Sequence, residues 1–190
     1  TIGGTARYIG NLNFGGGTDA LSVSETGLFS GRLEGATGLA ASVSGGILDV
    51  KGNASIASLA VTNAGTLAVT LGGADDTNII VSGDANFGAN SKLLLQLSSI
   101  EEGEGSHVVL TAGSITGADN LTTSTDFLPF LYTGTLTKND TTLTVEVARK
   151  DTDDLGLNRS EAAAFNAIID AAGNDEFVEN SILGIRDGDS

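Results

Sequence analysis

Apolar and polar side chains alternate in short runs through the first half of the chain, as in Leu59-Ala60-Val61 and Leu67-Ala68-Val69. Period-two alternation sends every second side chain to one face, so these runs predict strands with one buried side. From Leu21 to Ser98 the runs can be written as four lines of about 20 residues, opening at Leu21, Leu39, Leu59 and Ile79. Two places further on stand Val23, Ala41, Val61 and Val81. The seventh place holds Gly27, Gly45 and Gly65, with Ala85 in the fourth line, and Leu28, Ile47, Leu67 and Phe87 follow. Short strands, Gly or Asn turns and a repeat near 20 residues predict the coils of a β-helix. One coil cannot bury its apolar face alone, so neighbours stack and share a core. Gly suits the turns because only Gly adopts positive φ without steric cost; Asn53 and Asn63 tolerate it better than most residues. A β-sandwich with two strands per line would produce a similar repeat.

Beyond Ile100 the pattern changes. Gly105 to Leu110 predicts a strand, with a loop to follow through Asn120. Phe127-Leu128-Pro129-Phe130-Leu131-Tyr132 and Leu143-Thr144-Val145-Glu146-Val147 predict longer paired strands, joined by a turn at Lys138–Thr142. A stack of coils exposes open core and unpaired backbone at its end, so a broader cap containing Phe127, Phe130 and Tyr132 is what stability requires there.

The last forty or so residues are helical in character. Asn158 followed by Glu161 forms a capping-box-like start, with Asn in place of the usual Ser or Thr. Ala162 to Ala172 favours helix and places Phe165, Ile168, Ile169 and Ala172 on one face, with Gly173 as the stop. A second short helix is expected from about Asp175 to Leu183, ended by Gly184, and Arg186 to Ser190 is expected to be a polar loop. The chain therefore divides into coils (1–100), a β-cap (101–150) and a helical linker (151–190).

Composition sharpens this picture. Gly numbers 27 of 190 residues without a Gly-X-Y period, which rules out collagen, and the 40% hydrophobic content argues against disorder. Nine Lys and Arg stand against 24 Asp and Glu, a formal charge of −15 that makes nucleic acid and anionic membrane surfaces poor partners. The same acidity suits a soluble extracellular protein. Cys is absent, which fits export of an unfolded chain, and a start at Thr1 is expected of a processed or excised fragment.

The region from Ser91 to Asp189 resembles the C-terminal end of the passenger in alphaproteobacterial autotransporters of the pertactin-like class. The phrases that carry the resemblance are EGEGSHVVLTAGSITG (102–117), DFLPFLYTGTLT (126–137), LTVEVARK (143–150) and above all LGLNRSEAAAFNAIIDAAGNDEFVENSILGIRDGD (155–189). The resemblance covers roughly the last half of the chain; the earlier repeats fit by type. It implies a right-handed, single-stranded parallel β-helix, all-β apart from a short helical tail, displayed on the surface of a Gram-negative cell. The implied partner is an outer-membrane β-barrel of the same precursor. The resemblance also implies that the region near 100–150 acts as an autochaperone, folding first and templating the coils before it. Leu93-Leu94-Leu95-Gln96-Leu97 and Val108-Val109-Leu110, the densest apolar segments, lie at that end and predict the highest local stability there.

Candidate chemistry is sparse. A Ser-His-Asp arrangement needs a His, and the one present, His107, opens a predicted strand without an acid in an alternating position; a surface or edge His is expected. Gly15-Gly16-Gly17-Thr18-Asp19-Ala20-Leu21 and Gly72-Gly73-Ala74-Asp75-Asp76 are similar to pieces of calcium-binding nonapeptide repeats but lack the spacing and the tandem recurrence, so turn chemistry accounts for them. Gly15–Gly17 also lacks the Lys of a phosphate loop. A polysaccharide-acting β-helix enzyme needs carboxylates on a shared coil face. Glu25, Glu34, Asp49, Asp75, Asp76 and Asp84, with Arg32, Lys51 and Lys92, are expected in turns instead, and Glu101, Glu102 and Glu104 in a solvated loop. No catalytic, cofactor-binding or metal-binding residue is assigned, and no small-molecule substrate is expected. The leading expectation is a non-catalytic passenger stalk. The alternative is an extracellular fibre subunit associating end to end, and a polysaccharide-acting enzyme comes third.

Overall fold

A computed structural model describes residues 1–185; the polar loop expected at Arg186–Ser190 lies outside the described residues. The chain is mostly β and repeats a set of three strands. The first set is β1 (Arg7–Ile9), β2 (Leu12–Asn13) and β3 (Asp19–Ser24). The second is β4 (Leu28–Gly31), β5 (Leu33–Glu34) and β6 (Leu39–Ser44), and the third β7 (Ile47–Val50), β8 (Asn53–Ile56) and β9 (Ser58–Thr62). After β10 (Thr66–Leu71) the second and third members fuse into one long strand, β11 (Asn78–Phe87). The pattern recurs in β12 (Lys92–Leu97), then a one-turn helix α1 (Ile100–Gly103) and the long β13 (Gly105–Thr116). The chain continues with β14 (Thr122–Ser124), β15 (Tyr132–Lys138) and β16 (Thr142–Arg149), and ends in helices α2 (Arg159–Ala172) and α3 (Glu176–Gly184).

Each strand pairs in parallel with its counterpart in the next set. One sheet runs β1-β4-β7-β10-β12-β14, and a second runs β3-β6-β9-β11-β13 before two antiparallel strands, β16 and β15. β2 pairs with β5, and β8 joins the first half of β11. Register aligns like side chains. Phe29, Leu48, Leu67 and Leu93 form one buried row, and Val23, Val43, Val61 and Phe87 another. Leu21, Ala41, Leu59, Ala85 and Ile115 form a third. Full burial of each large apolar side chain contributes about 1.5–3 kcal/mol relative to exposure.

This register corrects the sequence alignment. Leu39 pairs with Asp19 rather than Leu21, and Ile79 pairs with Ala54 rather than Leu59. Leu28 and Ile47 do pair, but they are half-buried on the outward side, whereas Leu67 and Phe87 point into the core. Asn53 starts a strand, and Gly52 before it takes the left-handed conformation (φ 68°). Asn63 does take it (φ 50°), and Ala64 follows it there (φ 60°), an uncommon conformation for a residue with a Cβ. Gly117 combines a φ of 67° with a close approach, since a Cβ there would overlap the carbonyl of Phe87 in the neighbouring layer.

The expected strand at Gly105 runs on to Thr116, through part of the expected loop, because β11 offers it a long parallel partner. The hairpin is shifted from its expected place. Phe127–Leu131 forms turns, and the strand starts at Tyr132. Pro129 lacks an N–H to give a ladder, and its carbonyl instead accepts from Tyr132 N at 2.9 Å. The hairpin turn lies where expected: Asn139 Oδ1 accepts from the backbone of Thr141 (3.0 Å) and Thr142 (2.7 Å). At the start of α2 the capping box is complete, with Asn158 Oδ1 accepting from Glu161 N and Glu161 Oε2 accepting from Asn158 N. Asp175 caps α3 through Phe177 N and Val178 N.

Candidate functional site

The two ends of the stack differ. At the N-terminal end β1, β2 and β3 are edge strands; β1 is exposed throughout, and among the described residues only the Ile2–Val23 bridge lies outside β3. At the other end, β13 is parallel to β11 on one side and antiparallel to β16 on the other, so it converts a growing parallel stack into a closed hairpin. Leu143, Val145 and Val147 of β16 are buried against the core that Val109 and Leu110 continue. Lys138 Nζ donates to the carbonyl of Leu121 at 2.9 Å and ties the hairpin to the last turn before β14.

The helices pack on this same end. Ile169, Ala172 and Ile182 are buried, Phe165 is half-buried and Ile168 is largely exposed, so one of the four residues of the expected apolar face does not pack. Glu179 accepts from the backbone of Ile100 at 2.8 Å, and Phe130 N donates to Ile185 O at 2.9 Å. Between α2 and the hairpin lies a polar gap of about 420 Å³ bordered by Glu104, Arg149 and Phe165. Tyr132 is buried close to Glu104, and its hydroxyl makes no well-aligned hydrogen bond. Burial first, and then the Glu104 carboxylate, raise its phenol above the ordinary range, against a smaller opposing effect of Arg149.

His107 is not a surface residue: its side chain is only 12% exposed, and it has an acidic partner. Nε2 lies 3.0 Å from the carbonyl of Gly103, and Nδ1 lies 3.3 Å from Asp76 Oδ1. Asp76 sits in the turn after β10, far away in sequence, so no local signal marked the pair. The same two turns meet again where Glu102 Oε2 accepts from Gly73 N at 2.8 Å. The ring thus joins two adjacent layers. It has no serine on its free side to activate, because both nitrogens face oxygen acceptors.

The acidic residues are more structured than expected. Asp75 pairs with Arg32 at 2.6 Å, which fastens the turn after β10 to the turn after β4. Asp49, Asp84 and Glu34 lie on strands rather than in turns, as does Lys92. Asp49 is 7% exposed and stands on the outward face in register with Ser30, whose hydroxyl donates to Oδ2 at 2.7 Å. Lys51 Nζ lies 3.1 Å from Asp49 Oδ1 and donates to Thr70 Oγ1 (2.7 Å) and Gln96 Oε1 (2.8 Å). A polar ladder therefore crosses β4, β7, β10 and β12 where the sequence suggested isolated turns. Glu101 and Glu102 open α1, and Glu104 Oε1 stands 4.0 Å from Arg149 Nε. Gly15, Gly16 and Gly17 are left-handed turn residues with open space where a Cβ would stand. Among the described residues no cluster of three or more His, Cys, Asp or Glu is placed to hold a metal ion. No helix of the described residues is long and apolar enough to cross a membrane.

Compared with known proteins, the chain matches no family model, no curated protein and no solved structure.

Proposed function

We propose that this chain is a non-catalytic stalk segment of a secreted, surface-displayed autotransporter passenger, built as a right-handed single-stranded parallel β-helix whose C-terminal end nucleates folding. One observation carries the reading: among the described residues the parallel stacking of the second sheet is ended at β13 by the β16–β15 hairpin, while β1, β2 and β3 stay open at the other end; the first sheet ends at β14. Three strands per set, each pairing with its counterpart in the next, is how successive coils of a β-helix stack. The right hand follows the rule for parallel crossovers. A covered C-terminal end and an open N-terminal end favour growth of the stack in one direction, from cap to tip. The implied barrel of the same precursor would hold the capped end at the outer membrane. Head-to-tail fibres are less well served, because the hairpin and both helices occupy the face on which the next subunit would sit.

Native-state hydrogen exchange on the whole chain tests this. Protection is expected to be greatest in β11, β13 and β16 and to fall stepwise towards β1–β3. Uniform protection, or a maximum near β3, would remove the folding-nucleus role.

A further inference from the structure

We infer that the outward face of the first sheet carries a binding cleft for a neutral saccharide. The cleft has a volume of about 370 Å³, within the usual range for ligand sites. Its floor is a product of register: Leu28 and Ile47 are neighbours in one outward row, and Ser30, Asp49 and Leu94 share the next. Ile9, 75% exposed, Phe127, 52% exposed, and Arg7 also line it.

The polar groups decide the class of ligand. Asp49 Oδ2 is taken by Ser30 and Oδ1 is sealed from solvent against Lys51, so this carboxylate holds the floor together rather than receiving a ligand. Gln96 Oε1 is occupied by Lys51, which leaves the Gln96 amide N–H groups to donate. The Gln96 amide donor and the Ser30 hydroxyl oxygen on an apolar floor, beside an exposed aromatic ring, complement a ring with one apolar face and hydroxyls on its edge. A peptide laid along the floor is less suited, because the floor strands β4, β7 and β12 are paired on both sides and offer no free backbone edge to extend; the free edge of β1 lies to one side. An anionic polymer would meet the field of a chain with formal charge −15. Among the described residues Asp49 is the one carboxylate lining the cleft, and glycoside hydrolysis uses two, so the cleft is assigned to binding. The inference stands independently of the stalk reading.

The whole chain should be titrated with neutral tetrasaccharides of glucose, galactose, mannose and N-acetylglucosamine, by calorimetry and saturation-transfer NMR. At least one is expected to bind with Kd between about 1 μM and 1 mM. Phe127→Ala and Gln96→Ala should each weaken that binding by about tenfold while the circular dichroism spectrum stays unchanged. No binding across the panel, or binding that both variants leave intact, overturns the proposal. Self-association of the chain that Phe127→Ala abolishes would assign the cleft to a second copy instead, and also overturns it.

Discussion

His107 Nδ1 lies 3.3 Å from Asp76 Oδ1, which couples the first residues of β13 to the turn that leaves β10. Asp76 Oδ1 also accepts from the backbone of Gly72 at 2.8 Å. Removing the carboxylate therefore orphans a buried N–H as well as the imidazole, and Asp76→Ala is expected to cost about 1–3 kcal/mol. His107→Ala should cost less, because the carboxylate keeps Gly72. In a double-mutant cycle by urea denaturation the pair should couple by about 0.5–1 kcal/mol. Strictly additive losses would show that the two side chains are merely adjacent.

The assignment of faces can be tested with two single truncations. Leu67 is fully buried between Leu48 and Leu93, so Leu67→Ala is expected to cost about 2–5 kcal/mol. Asp at Leu67 or Val81 would place a lone carboxylate in the core and should unfold the stack. Ile80, next in sequence to the buried Ile79, is 51% exposed, and Ile80→Ala should change stability by no more than about 0.5 kcal/mol. Similar losses at Leu67 and Ile80 would mean that the register is wrong.

Ala64 gives a prediction of opposite sign. Its φ of 60° places the methyl group against the following carbonyl, a strain of about 1–2 kcal/mol that Gly does not feel. Gly gains more freedom in the unfolded chain, which offsets part of this. Ala64→Gly should therefore raise stability by about 0.5–1 kcal/mol, measured as an increase in the urea midpoint at constant m. A fall in the midpoint would indicate that the turn adopts another conformation in solution.

The β character and the positions of most strands were legible because alternation is a local property. The register was not, for a reason visible in the errors. Leu39 was aligned with Leu21, although Ala41 is its partner, and Ile79 with Leu59, although Ala85 is. These two are even-numbered slips, and a period-two pattern moved by an even number of residues keeps every side chain on its own face. Alternation alone cannot detect them. Setting Leu67 with Ile47 is a slip of one, since Thr66 is the partner of Ile47, and it came from matching glycines rather than faces. The slip at Ile79 also follows from the fusion of two strands into β11, whose first half pairs with β8 and whose second half pairs with β9. The helix caps were readable because Asn158 and Glu161 act within one turn. The polar ladder through Ser30, Asp49, Lys51, Thr70 and Gln96 was not, since its members meet only once the sheet is stacked.

Tyr132 makes the stability of the cap depend on pH at the alkaline end. Burial and the nearby Glu104 carboxylate raise its phenol above the value of about 10 expected in the unfolded chain. Above that pH the unfolded chain releases the proton while the folded protein keeps it, so the unfolded state binds fewer protons and stability falls as pH rises. Below it both states hold the proton, and the contribution is whole. Above about pH 10 the wild-type chain should therefore lose up to about 1.4 kcal/mol per pH unit more than Tyr132→Phe. At pH 7 the same substitution removes a buried hydroxyl that makes no well-aligned hydrogen bond and lies near Glu104, so it should change stability by no more than about 1 kcal/mol. Urea midpoints of both proteins at pH 7, 9 and 11 would check this. Curves that stay parallel to pH 11 would mean that Tyr132 ionises as readily in the folded cap as in the unfolded chain, and that the hairpin is open to water at this position.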